Sequence, residues 1–116
     1  MIEIRQGDVY CLDFGPAKGS APAERHPCVV VQNDVFNRSA IATTVVSLIA
    51  SNLKRANAPG NVLLKKGEAG LAKASVVNIS QVFTVDKDEL VERIGRLSVA
   101  SSEAVRSGLQ MLVEGM

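Results

Sequence analysis

The chain has 116 residues, of which 47% are hydrophobic and 22% are charged, and this composition excludes an intrinsically disordered protein. Thirteen basic and twelve acidic residues leave a net charge of +1, so the overall charge indicates neither a nucleic-acid nor a membrane surface, and any anion site must be local. The length predicts one domain spanning residues 1–116.

Short segments rich in Val, Ile, Leu and Thr, separated by Gly, Pro and Asn, predict five to seven β-strands. In chain order these segments are 9–14, 28–32, 43–49, 62–64, 75–85 and 90–97. The continuous apolar triplet at 29–31 favours a central strand, whereas the looser alternation within 76–83 favours a half-exposed one.

Near the end of the chain the spacing of apolar residues changes to that of a helix, which predicts one amphipathic helix. A Ser-Ser-Glu start signal at 101–103 precedes Val105, Leu109 and Leu112, which recur at i, i+4 and i+7, and Gly115 offers a stop. Short strands followed by a single helix predict a mostly-β fold. We expect a small twisted sheet or partly open barrel, with the helix covering an edge or an end.

The longest irregular stretches, 15–26 and 51–60, are where recognition or chemistry is expected. The GPAKGS run at 15–20 lacks the spacing of a phosphate-binding loop. Cys11 and Cys28 lie in apolar runs without metal-ligand spacing, which predicts buried free thiols, no metal site and a reducing compartment. With no signal peptide and no membrane-spanning run in the sequence, we expect a cytoplasmic protein.

Arg25 and His26 are the first candidates for chemistry. An arginine fork holds two phosphate oxygens at once, and an imidazole titrates near neutral pH. Both residues precede Pro27, which favours an extended conformation for His26. The alternative is that Arg25 pairs with a neighbouring acid and His26 only packs. Successive strand residues point to opposite faces, so an early start of the strand would leave only one of them in a given pocket.

Two further clusters of polar residues are compatible with binding of single-stranded RNA. The amides of Asn33 and Asn37 can read base edges and Phe36 can stack on a base, although an Asn-Asp pair after a strand is also simply a good turn. Lys54 and Arg55, on the second long loop, can follow a phosphate backbone.

The run GDVYCLDFGPAKGSAPAERHPCVVVQNDVFN at 7–37 resembles the opening of the MazF/PemK (Kid) toxin family. Members of that family typically read GDV or GDI, a strand ending near DFxPTxGSE, a loop ending in Arg-Pro, and VVVxN. Gln81, Thr84, an Asp-Lys pair at 86–87 and a Gly-Arg pair at 95–96 also fit the family's order, so the resemblance spans nearly the whole chain. It implies an SH3-like β-barrel with a C-terminal α-helix.

The family's usual catalytic pair is an Arg directly before Pro and a Thr at the end of the next long strand. In this chain the corresponding positions hold His26 and Ala50, with Arg25 and Ser51 beside them. Two hypotheses follow. Either Arg25 reaches the phosphate, with Ser51 or Ser47 supplying a hydroxyl, or the chain keeps the fold with weakened activity.

The resemblance implies a sequence-selective, metal-independent endoribonuclease toxin that cleaves single-stranded RNA such as mRNA without a cofactor. It also implies a homodimer that a cognate antitoxin neutralises and that meets DNA only through the antitoxin. The expected catalytic residues are Arg25 as phosphate clamp, His26 as acid or base, and Ser51 as hydroxyl partner. The expected RNA contacts are Ser20, Asn33, Asn37, Lys54 and Arg55. The alternatives are a non-catalytic module that binds an antitoxin or DNA, and a toxin of this fold that poisons a topoisomerase.

Overall fold

The computed structural model describes residues 3–16 and 24–115. Within these ranges, six strands form one antiparallel sheet that curls into a half-barrel, in the order β4-β5-β3-β2-β1-β6. The strands are β1 (Asp8–Asp13), β2 (Arg25–Val30), β3 (Thr43–Ala50), β4 (Val62–Leu64), β5 (Ser75–Asp86) and β6 (Glu92–Arg96). The helices are α1 (Asp34–Asn37), α2 (Val99–Glu114) and 3₁₀ helices at Leu53–Asn57, Glu68–Gly70 and Lys87–Glu89. The predicted fold class, a small mostly-β barrel-like sheet with a C-terminal helix, is confirmed.

The second strand begins at Arg25 rather than at Cys28, so the prediction that Arg25 and His26 lie in a loop is wrong. The cause is β1, which continues far enough to pair Leu12 with His26 and Asp13 with Arg25. Backbone N–H and C=O groups need hydrogen-bond partners, and β1 supplies them to this part of the chain. The candidate residues therefore stand on a sheet rather than on a free loop.

The terminal helix also begins earlier than predicted, because its N-cap is Ser98. The Ser98 hydroxyl accepts a hydrogen bond from the backbone N–H of Ser101 at 3.1 Å, which satisfies one of the free donors of the first turn. The helix ends at Gly115, as predicted, where φ is +77°. Its buried face, at Val105 and Gly108, packs against the sheet.

Two apolar clusters lie on the two faces of the sheet, because side chains alternate along each strand. Val9 and Val29 belong to the cluster beneath α2, and their neighbours Tyr10 and Val30 belong to the other. The first cluster comprises Val9, Val29, Ile49, Leu64, Leu71, Val77, Ile79, Leu97 and Val105. The second comprises Ile4, Tyr10, Leu12, Cys28, Val30, Val46 and Leu90.

Strand β5 changes its pairing partway along. Ser47 of β3 pairs with Val82, but the next β3 residue, Leu48, pairs with Asn78, so the intervening part of β5 bulges out of the ladder. The segment from Ser75 to Ile79 is buried throughout, and exposure alternates beyond it. The predicted half-exposed strand thus has a fully buried first half.

The two thiols differ in their surroundings, and neither is in a disulfide. Cys28 is buried, as predicted, and burial raises the pKa of its thiol to about 12. Cys11 is only half-buried, because β1 pairs there with β6, the edge strand of the sheet. The prediction of full burial holds for Cys28 and not for Cys11. Among the helices within the described ranges, none has the length and apolar character needed to cross a membrane.

Candidate active site

A cleft of about 370 Å³ opens at one end of the sheet, where the start of β2, the end of β3 and the start of β5 meet. We call it the β2–β3 cleft. It is lined by His26, Pro27, Ile49, Ala50, Ser51, Asn52, Arg55, Leu71, Ala72, Lys73 and Ser75. A second cavity, under α2, measures only about 10 Å³ and is almost entirely apolar, so it is too small for a ligand.

Strand register brings His26 and Ala50 together in this cleft. Cys28 pairs with Leu48 across β2 and β3, and the same register continued toward the cleft sets His26 opposite Ala50. The imidazole is half-buried, and its centroid lies 6.5 Å from the ring centroid of Phe14. This aromatic contact limits the positions that the imidazole can take.

A hydroxyl and a cation enter the cleft from the chain that follows β3. The Oδ1 atom of Asn52 accepts a hydrogen bond from the backbone N–H of Lys54 at 3.2 Å and caps the Leu53–Asn57 helix. The turn into this helix brings Ser51 and Arg55 to the cleft wall. Lys54 is exposed and lies outside the cleft lining.

The cleft carries positive charge. Arg55 and Lys73 line it, and its described lining contains no carboxylate. Neither cation forms an ion pair with a residue in the described ranges. An unneutralised pair of cations in a concave site attracts a phosphodiester. Lys73 was missed by the sequence analysis, because a lysine shortly before a strand has no distinguishing pattern.

Arg25 is not among the residues that line this cleft. Its guanidinium forms an ion pair with Glu92 of β6, which lies beyond β1 in the sheet. The Arg25 side chain is 54% exposed. The structure therefore brings His26, Ser51 and Arg55 together, and it directs Arg25 elsewhere.

The predicted RNA contact Asn33 lies at the opposite end of β2. Asn33 is exposed and caps α1, its Oδ1 atom accepting the backbone N–H of Val35 at 2.8 Å. Strand β2 separates it from the cleft by roughly 20 Å, at about 3.3 Å per residue. Ser20 lies outside the described residues.

Asn37 is 8% exposed, and its amide is fully engaged inside the protein. Its Nδ2 group donates to the carbonyl oxygen of Gln32 at 2.9 Å and to Oδ1 of Asp34 at 3.1 Å. Its Oδ1 atom accepts from Nε2 of Gln32 at 3.0 Å and from Oγ1 of Thr44 at 2.8 Å. An RNA contact by Asn37 would require this network to open.

Asp34 is held ionised by its surroundings. Burial opposes ionisation, but the backbone N–H of Gln6 donates to its Oδ1 atom at 2.7 Å, and Asn37 adds a second hydrogen bond. With the nearby charges of Arg38 and Arg96, these bonds lower the pKa of Asp34 below its ordinary value. This carboxylate joins the N-terminal segment to α1. Elsewhere in the described ranges, no three His, Cys, Asp or Glu side chains are grouped as metal ligands would be.

Comparisons with known proteins give a consistent result. The family described as "PemK-like, MazF-like toxin of type II toxin-antitoxin system" matches residues 5–113. Endoribonuclease MazF6 of Mycobacterium tuberculosis is 36% identical over 111 residues, covering 96% of this chain and 97% of that protein.

Two solved structures share the fold. MazF from Deinococcus radiodurans has a TM-score of 0.77 at 22% identity, with 100% of both chains covered. An endoribonuclease in complex with its cognate antitoxin, from a mycobacterial species, has a TM-score of 0.73 at 22% identity, covering 96% of this chain and 93% of that one.

Proposed function

Because the chain belongs to the PemK-like, MazF-like toxin family of type II toxin-antitoxin systems, we propose that it is an endoribonuclease toxin that cleaves single-stranded RNA in the β2–β3 cleft. The observation that carries the proposal is that residues bearing an imidazole, a hydroxyl and two positive charges all line one cleft. These are the groups that RNA cleavage by internal attack requires.

The proposed reaction uses the 2′-hydroxyl of the substrate as nucleophile. As the 2′-oxygen bonds to the adjacent phosphorus, its proton passes to a base, and the bond from phosphorus to the 5′-oxygen breaks. The leaving 5′-oxygen takes up a proton, and the products are a 2′,3′-cyclic phosphate and a 5′-hydroxyl end. Atoms and charges balance without a water molecule or a cofactor.

We assign the proton transfers to His26. A neutral imidazole accepts the 2′-hydroxyl proton, and the resulting imidazolium can return a proton to the 5′-oxygen. Its half-buried position against Phe14 supports this role, because a restrained ring loses little freedom when substrate binds.

We assign charge stabilisation to Arg55 and Lys73. The pentavalent phosphate carries more negative charge than the bound diester, so fixed cations favour the transition state over the ground state. Arginine keeps its proton near neutral pH, which makes a base role for Arg55 unsuitable. The Ser51 hydroxyl can donate to a non-bridging phosphate oxygen from the same wall of the cleft.

Arg25 remains our proposed phosphate clamp, with Glu92 as its partner in the absence of RNA. Both side chains of this ion pair are more than half exposed, and such pairs exchange partners at little cost. A phosphate that flanks the scissile bond could therefore replace Glu92. The exposed residues Lys54 and Asn33 are proposed as outer contacts along the same strand of RNA.

The proposed partners follow from the family. We propose a cytoplasmic homodimer that a cognate antitoxin inhibits, with DNA reached only through that antitoxin. A related endoribonuclease was solved in complex with its cognate antitoxin, which supports this assignment. The positive cleft favours an acidic antitoxin segment as the blocking element, since complementary charge speeds association and excludes wrong partners.

The test is to incubate the purified protein with a long unstructured RNA in EDTA. The proposal expects discrete fragments with 2′,3′-cyclic phosphate and 5′-hydroxyl ends, and sequencing of those ends identifies the cleavage motif. A His26→Gln variant purified in parallel controls for contaminating nuclease. RNA that stays intact with the unmodified protein would overturn the proposal in favour of a non-catalytic binding module.

A further inference from the structure

The amide of Asn61 joins three parts of the chain next to the cleft. Its Nδ2 group donates to the backbone carbonyl of Arg55 at 2.9 Å and to Oδ1 of Asn78 at 3.2 Å. Its Oδ1 atom accepts the backbone N–H of Ile79 at 2.9 Å. One side chain thus connects the Leu53–Asn57 helix to β5.

The end of the β4–β5 ladder explains why an amide is needed at this place. Val62 is the first β4 residue to pair with β5, opposite Val77, and the N–H of Ile79, just beyond that ladder, is satisfied by the Asn61 side chain. A buried backbone donor without a partner is costly, so this acceptor is required. The amide accepts from β5 and donates to the helix at the same time.

The loop that carries Asn61 is held in place by close packing against α2. Gly60 has φ of +77° and packs against Gly108 of α2, where a Cβ atom on Gly108 would lie 2.3 Å from the Gly60 carbonyl oxygen. Gly108 has no room for a larger residue, and the positive φ at Gly60 disfavours any other residue there. Asn61 is therefore a fixed anchor rather than a group that moves with the helix.

The helix that Asn61 holds is short and has few other attachments. The Arg55 carbonyl also accepts the backbone N–H of Ala58 at 3.1 Å, and Asn52 caps the start of the helix. Both of those bonds are local to the segment. Within the described residues, the Asn61 amide supplies the side-chain hydrogen bond that ties this helix to the chain beyond it.

We propose that Asn61 is a positioning residue for the ribonuclease reaction, which acts by holding Arg55 at the wall of the β2–β3 cleft. The inference rests on the proposed function, because it assumes that Arg55 binds the phosphate. Asn61 is absent from the cleft lining and acts only through the Arg55 backbone. A misplacement of about 1 Å in such a group lowers a reaction rate substantially.

The experiment compares Asn61→Ala with two other variants. Asn61→Asp keeps an acceptor for the Ile79 N–H but removes the Nδ2 donor to Arg55 and to Asn78, so it tests the loss of those two bonds if the Ala variant does not fold. Asn78→Ala is the matched control, because it removes another partner of Asn61 and leaves the bond to Arg55 in place. Cleavage of a short RNA and amide hydrogen exchange of the Leu53–Asn57 segment are measured for each.

The expected result is a fall in kcat/KM of about 10-fold for Asn61→Ala and Asn61→Asp, with faster exchange in the Leu53–Asn57 segment. Asn78→Ala should lose stability but keep near-normal kcat/KM and slow exchange in that segment. In an Arg55→Ala background, the Asn61 substitution should cause no further loss, because the two residues act through one contact.

An additive loss in the Arg55→Ala background, or unchanged exchange in the Leu53–Asn57 segment, would overturn the inference. Normal cleavage by Arg55→Ala together with loss of cleavage by His26→Gln would overturn it while the proposed function stands. If the unmodified protein leaves RNA intact, the proposed function fails and the catalytic role of Asn61 fails with it. Hydrogen exchange then still reports whether Asn61 holds the helix.

Discussion

Substitution of His26 by Gln tests the assigned chemistry most directly, because His26 is the single histidine of the chain. Glutamine is close to histidine in size, stays compatible with a strand, and cannot transfer protons near neutral pH. The backbone pairing of this position with Leu12 is unaffected by the side chain. The substitution therefore removes the acid–base group and leaves the sheet intact.

The expected magnitudes separate activity from stability. His26 is half-buried and has one aromatic contact, with Phe14, so its replacement should lower the free energy of unfolding by no more than about 1 kcal/mol. A general acid–base group contributes about 100-fold to 10,000-fold to a rate. We therefore expect kcat to fall at least 100-fold while the melting temperature changes by only a few degrees.

The assay is the pH dependence of RNA cleavage together with an NMR titration of the His26 ring protons. If His26 transfers protons in the reaction, the pH–rate profile should contain an inflection that depends on this residue. If the neutral ring is the base, the rate rises with pH through the inflection. The kinetic and NMR midpoints should agree, since no other histidine contributes. An inflection that persists in His26→Gln, or a nearly unchanged rate, would refute the assignment.

Three further predictions concern other residues. Arg25→Ala should lower kcat/KM by about 10-fold, the scale of one charged hydrogen bond to a phosphate that flanks the scissile bond. Glu92→Gln, which frees the same guanidinium, should keep or raise kcat/KM, and near-normal cleavage by Arg25→Ala would exclude the clamp. At pH 8 in the folded protein, a thiol reagent should modify half-buried Cys11 much faster than Cys28. The raised pKa of Cys28, about 12, keeps its buried thiol neutral and unreactive. Mass spectrometry of the labelled peptides measures the two rates. Since the pKa of Asp34 is lowered from 3.8, folding should lose stability as the pH falls below about 4. Denaturant unfolding at several pH values measures this. The free energy of unfolding should fall less with decreasing pH in Asp34→Asn than in the unmodified protein, and an equal dependence on pH in the two would contradict the prediction.

Much of the site was visible in the residue pattern. His26 before a proline and Arg55 in a polar loop were identified from local composition, because charged and polar groups between apolar strands are exposed and available for binding. Ser51 was identified only through the resemblance to the family, as the neighbour of the position that corresponds to its usual Thr. The Leu53–Asn57 helix and the bulge in β5 were missed. The helix is only five residues long, too short to show a hydrophobic period, and the bulge depends on how β5 pairs with the distant strand β3.

The separation of Arg25 from His26 could not be predicted from the residues around them. Both residues precede Pro27 and carry equally suitable chemistry, and the sequence could state only that a strand would point them to opposite faces. Whether a strand exists there depends on the length of β1, which pairs Asp13 with Arg25. The ion pair with Glu92 depends further on the position of β6 beside β1.

The amino-acid sequence alone determined the mostly-β architecture, the terminal helix and the family, because alternation of apolar residues, turn residues and ordered motifs are properties of neighbouring positions. Tertiary structure decided which of those residues meet. His26 and Ser51 are 25 positions apart in the sequence and Lys73 lies further along it, yet all three line one cleft. They meet because antiparallel pairing brings the start of β2, the end of β3 and the start of β5 to the same end of the sheet. The hydrophobic pattern of a strand limits its register, but strand order arises from the packing of the whole chain.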